Sequence, residues 1–114
     1  MKAVTFDARG ETFALRLDMN AMVRYQERAG ETLGGLLQAI GADGLDMLRT
    51  RRLFWAALDR RMSEDEAGDL MTEVGLGAAT EMTGRALREA IKAINGEGDE
   101  DSPPAKPRKD TAAT

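Results

Sequence analysis

Residues 17–22 read LDMNAM, and the hydrophobic period changes across them. The preceding run TFALR (12–16) alternates apolar and polar residues. The following run VRYQERAG (23–30) does not. A period of two marks a half-buried strand, and apolar residues three and four apart mark one face of a helix. Met19, Met22, Val23 and Gln26 follow the helical spacing. Asp18 and Asn20 therefore have two readings. They are ligands or acids of a polar site, or they belong to the joint between a strand and a helix. Asp18 stands where an N-cap belongs, because its carboxylate can accept from the free N–H groups of a first helical turn. A cation site needs several converging oxygens, and this stretch has two, with neither an EF-hand glycine nor a distal glutamate at the required offset. The joint is the better reading.

Upstream, Val4, Phe6 and Ala8 alternate with polar residues, as do Phe13, Leu15 and Leu17. A two-residue turn at Arg9-Gly10 sets Phe6 opposite Phe13 and Val4 opposite Leu15, with all four on one face. A lone hairpin is marginal in water, so this face must rest on helices.

Downstream, helix 1 is predicted over 19–29 and stops at Gly30, a good C-terminal glycine. Helix 2 is predicted over 32–40, with Leu33, Leu36, Leu37 and Ile40 on one side and a loop bracketed by Gly41 and Gly44. Helix 3 is predicted over 45–61. Its apolar residues (Leu45, Met47, Leu48, Leu53, Phe54, Trp55, Ala56, Ala57, Leu58) cover much of its girdle, which marks a central helix. SEDE at 63–66 fits a capping box, with Ser63 as N-cap and Glu66 three residues on. Helix 4 follows with Ala67, Leu70, Met71 and Val74, and Gly75 and Gly77 end it. Helix 5 is predicted over 78–94, with Met82, Ala86, Leu87, Ala90, Ile91 and Ile94 apolar. The expected fold is α+β: an N-terminal β-hairpin packed on a bundle of four to five helices, forming one domain over 1–95. Residues 96–114 carry no aromatic or large aliphatic residue and all three prolines. Such a segment cannot bury enough to offset its ordering entropy, so a disordered polar tail is expected there.

Composition bounds the chemistry. The 114 residues, 42% hydrophobic and 32% charged, fit one globular domain. A chain this short buries about 60–65% of its unfolded surface, so a partner or a homo-oligomer could add the stability it lacks. It has no cysteine and no histidine, which removes thiol chemistry, disulfides and Cys/His zinc sites. General acid–base work at neutral pH most often uses histidine. No P-loop is present, since GLGAATEMTG lacks the Gly-Lys pair. The acids Glu64, Asp65, Glu66 and Asp69 stand where a helix dipole favours them. No catalytic residue, cofactor or metal is expected, and the chain is not read as an enzyme. No apolar run approaches a membrane span and no signal-like segment opens the chain, so a cytoplasmic protein is expected. The net charge of −4 argues against nucleic acid. Arg49, Arg51, Arg52, Arg60 and Arg61 read first as a solvated face, then as a protein surface, and last as a DNA contact.

Trp55, in mid-helix among Leu and Phe, reads as core. The seven methionines are core fillers or an adaptable binding surface, of the kind methionine supplies where a helix lies in a groove. Met22, Tyr25, Phe54, Met71 and Met82 are the candidate partner-binding residues, because they combine helical faces with adaptable or amphipathic side chains. Asp18, Ser63 and Glu66 are the structural caps.

The order of segments over about 10–94 resembles the tail assembly chaperone family of long-tailed phages and gene transfer agents, sometimes labelled a gene-transfer-agent tail tube protein. The resemblance lies in Leu17, Asp18, Met19, Asn20 and Ala21; in Glu27 and Gly30; in Leu48, Arg49, Leu53, Trp55, Ala56 and Leu58; and in Ser63, Glu64, Glu66 and Ala67. Arg51 or Arg52 stands where that pattern has an apolar residue. The resemblance implies a chaperone acting during tail morphogenesis. It implies as partners the long helical tape-measure protein, which the chaperone keeps soluble, and the tail tube protein, which it helps recruit. The alternatives are a tail tube or neck component of the particle, or a small DNA-binding regulator using the helix 3 arginines.

Overall fold

The structure is a computed structural model and describes residues 1–96. The tail expected over 96–114 therefore lies, beyond Gly96, outside the described residues. Strands β1 (Val4–Ala8) and β2 (Glu11–Leu15) form a two-stranded antiparallel sheet with Phe6 facing Phe13 and Val4 facing Leu15. This is the register that the alternation and the two-residue turn require. Arg9 and Gly10 both have positive φ, 56° and 73°, as a type I′ hairpin turn demands. The Phe6 and Phe13 rings stack with centroids 5.3 Å apart, and Phe6 leans on Phe54 at 5.8 Å. The apolar face of the hairpin is thus closed by the helices.

The five helices are α1 (Met19–Ala29), α2 (Leu33–Asp43), α3 (Met47–Ala57), α4 (Glu64–Val74) and α5 (Leu76–Ile94). The α+β architecture is the one expected. The Asp18 carboxylate accepts from the Ala21 N–H at 3.0 Å, so LDMNAM is the joint between strand and helix. Gly30 closes α1 in the left-handed region at φ 70°. Ser63 and Glu66 form the full capping box of α4.

Four boundaries differ from expectation. Helix α2 runs through Gly41 to Asp43, so no loop opens there. Helix α3 starts after Asp46, which caps it by accepting from the Arg49 N–H at 2.8 Å. It also ends earlier, at Ala57, because the next residues extend and pair with β2: Leu58 bridges Leu15, and the Asp59 N–H donates to the Ala14 carbonyl at 3.0 Å. A tertiary contact therefore overrides helical propensity at that end. Helix α5 starts at Leu76, directly after Gly75 (φ 113°), so Gly77 lies inside it.

Helix α3 is the spine. It packs on α1, α4, α5 and β2, and Leu53, Phe54, Ala56 and Ala57 are buried. Its first turn is not core: Met47 and Leu48 are exposed.

Candidate docking groove

Helix α3 carries its arginines among acids, and this organises the surface beside it. Glu64 is buried at the first turn of α4. Its carboxylate is paired with Arg28 of α1 and with Arg51 and Arg52 of α3, the last two at 3.5 and 3.4 Å. Burial raises the Glu64 pKa, but Arg28 and then Arg52 and Arg51 outweigh it, and the net shift is downward. Arg49 makes a bidentate pair with Glu31 at 2.8 and 2.9 Å and also reaches Asp46. Glu31 in turn accepts from the buried Tyr25 hydroxyl. These donors hold the Glu31 carboxyl at about 2, Arg49 being the larger cause and Tyr25 the second. Burial, then the bond to Glu31, push the Tyr25 phenol above its ordinary range. Arg60 lies past the end of α3, so it shares no helical face with Arg49 and Arg52; it pairs with Glu11 and Asp59 and covers the Phe13 ring at 4.0 Å.

Arg51 also forms one wall of a groove. The side chain lies across Gly68 of α4, where a Cβ would stand 3.2 Å from the Arg51 Cδ. Only a residue without a side chain lets the two helices keep this approach without displacing Arg51. The groove has a volume of about 690 Å³ and runs between the start of α3, the face of α4 and the start of α5. Leu45 and Met47 come from the α3 side, Met71 from α4 and Leu76 from α5. Met47 is 90% exposed and Leu76 63% exposed. Thr50 is buried there, its hydroxyl donating to the Asp46 carbonyl at 2.6 Å, and adds no free polar group to the wall. The result is an open apolar surface with Arg51 and Glu81 as its charged residues.

Four of the five candidate partner-binding residues (Met22, Tyr25, Phe54 and Met82) fall outside this groove, and this is a correction. Phe54 is fully buried, Tyr25 is buried, and Met71 and Met82 are 6% and 8% exposed. All four belong to the core. Met22 is half-buried and lines a small crevice with Tyr25, Leu17 and Leu33. Of the five, only Met71 contributes to the groove, as a nearly buried wall residue. Leu45, Met47 and Leu76 carry the accessible apolar surface that sequence reasoning placed in the core or passed over. Met47 sits seven residues before Phe54, on the core side of the helical wheel, but at the very start of α3, where no neighbour covers it. Trp55 is half-buried, and its indole N–H donates to the Met62 carbonyl at 2.6 Å. Among the described residues, no group of three or more acidic side chains is arranged to hold a metal ion, and no helix is long and apolar enough to cross a membrane. No protein-family model, curated protein or solved structure matches the chain.

Proposed function

We propose that this protein is a phage-type tail assembly chaperone, and that it binds the tape-measure protein through the groove between α3, α4 and α5. The observation that carries the reading is the apolar groove itself, open along Met47 and Leu76 and about 690 Å³ in volume. A long helical client that is insoluble alone presents apolar stripes, and a helix with anchors three and four residues apart fits a groove of this kind. Methionine on the wall adapts to successive stripes of differing side chains. The order of sequence segments over 10–94, which resembles that chaperone family, supports the same reading. Recruitment of the tail tube protein is part of it.

The alternatives have less support. A ring-forming tube subunit needs a large sheet, and the described residues have two strands. A DNA contact by α3 needs free arginines, and Arg49, Arg51 and Arg52 are each paired with carboxylates.

The test is co-expression with the tape-measure protein of the same particle. The tape measure is expected to stay soluble and to elute with this chain. Met47→Glu and Leu76→Glu should abolish both effects while the variants melt like the parent. A tape measure whose solubility is unaffected by the parent chain overturns the proposal.

A further inference from the structure

A second cleft lies at the C-terminal end of α3, with a volume of about 540 Å³. Its charged lining residues are Arg16, Asp18, Arg24, Asp59, Arg60 and Arg61. Most arginines of the described residues have a carboxylate partner: Arg9, Arg28, Arg49, Arg51, Arg52, Arg60 and Arg85. Arg16, Arg24, Arg61 and Arg88 have none among the described residues, and the first three line this one cleft. Gathering unpaired cations is unfavourable. Burial, then the Arg24 charge, pull the Arg61 pKa below its ordinary value, with Asp59 opposing.

Part of the arrangement is structural. Arg24 donates through one Nη to the Ala56 carbonyl at 2.8 Å, and Arg61 through one Nη to the Leu58 carbonyl at 2.6 Å. Cations at a helix C-terminus are favourable. Each of these bonds uses one terminal nitrogen of a guanidinium that has five N–H donors. The Arg24 Nε is buried without a hydrogen-bond partner, and the Arg16 guanidinium makes no hydrogen bond or ion pair with a described residue, although its backbone N–H donates to the Ala57 carbonyl at 2.9 Å. Donors therefore remain in excess of acceptors.

We propose that this cleft is a binding site for the carboxylates of an acidic peptide segment. Guanidinium and carboxylate match as bidentate pairs. Ala3, Ala14, Ala57 and Leu58 supply apolar wall between the arginines, which suits a peptide. Asp18 and Asp59 stand on the same wall and oppose any anion there; a duplex, which needs a broad basic face, is the poorer fit to a chain of net charge −4. The chain itself carries such a segment: Glu97, Asp99, Glu100 and Asp101 follow α5 in the sequence. The ligand chemistry has two sources, this segment or an acidic stretch of another protein. The inference stands apart from the proposed function.

The experiment measures binding of a labelled Glu-Gly-Asp-Glu-Asp peptide with blocked ends to the full chain by fluorescence anisotropy, at physiological ionic strength. It is repeated on a chain carrying Glu97→Gln, Asp99→Asn, Glu100→Gln and Asp101→Asn. Tighter binding to the neutralised chain shows that its own segment fills the cleft; equal binding shows that the site is open to another protein. Either supports the site. Arg16→Glu and Arg61→Gln should each weaken binding about tenfold, as loss of a charge pair does. Arg16 has no partner to lose, so Arg16→Glu should fold like the parent, and Arg88→Glu, outside this cleft, should leave binding unchanged. The proposal is overturned if neither chain binds, if Arg88→Glu weakens binding as much as Arg16→Glu, or if a short DNA duplex displaces the peptide at equal charge.

Discussion

Arg51 lies across Gly68, with its Cδ 3.2 Å from where a Cβ on that glycine would stand. The contact couples the Glu64 ion cluster to the wall of the apolar groove, because Arg51 reaches Glu64 and Asp65 while lining the groove. The Arg51 side chain is partly exposed and can yield by a few tenths of an ångström. Alanine in a helix interior is favoured over glycine by about 1 kcal/mol. Gly68→Ala is therefore expected to match or exceed the parent in a urea melt. A loss greater than about 1 kcal/mol would show that Arg51 cannot move. Gly68→Met should fill the groove and abolish co-elution of the tape-measure protein.

Glu64 is the hub of three arginines. Glu64→Gln removes the charge that they share and leaves a buried amide in its place. The expected cost is about 2–4 kcal/mol, toward the lower end of what breaking a buried ion pair costs because the arginines are partly exposed. A calorimetric midpoint equal to that of the parent would show that solvent already satisfies the three cations.

Acid should weaken the fold through Glu31. Its folded value of about 2 lies below the ordinary 4.5, so folding favours the ionised form. The stabilisation is complete above the ordinary value and is lost as the pH falls from about 4.5 toward 2. Glu64, also shifted downward, acts in the same direction. Urea midpoints measured between neutral pH and the acid limit should fall across that window. Glu31→Gln should flatten the slope, and an unchanged slope in that variant would remove Glu31 from the account.

Two caps are separately testable. Asp18→Ala and Ser63→Ala should each cost about 0.5–2 kcal/mol. Both residues are exposed, so packing should not contribute, and a thermal midpoint at the parent value would sink the cap assignment for that residue.

Core and groove should separate cleanly. Phe54→Ala is expected to cost about 3–5 kcal/mol, as truncating a fully buried aromatic does, and to lose client binding only through unfolding. Met47→Glu should change stability by less than about 0.5 kcal/mol and lose client binding in a folded protein. The comparison of circular dichroism melts with co-purification decides between the two sets of residues.

The sequence by itself determined the local geometry. Hairpin register followed from the alternation around Arg9-Gly10, and the helix starts at Asp18 and Ser63 followed from the chemistry of capping. These depend on residues within a few positions of one another, where spacing alone places the atoms. The tertiary structure decided which apolar faces are covered. Phe54, Tyr25, Met71 and Met82 were legible as apolar helical positions, yet their burial depends on elements distant in the chain, as Phe6 of β1 packing on Phe54 shows. Met47 and Leu76 are the first residues of their helices and stay exposed, although apolar positions further along the same helices are core. The end of α3 was set in the same way, by Leu58 pairing with Leu15 across the fold. The pairing of Arg28, Arg51 and Arg52 with one carboxylate was not legible either, because three separate segments meet at Glu64 only once the helices have packed.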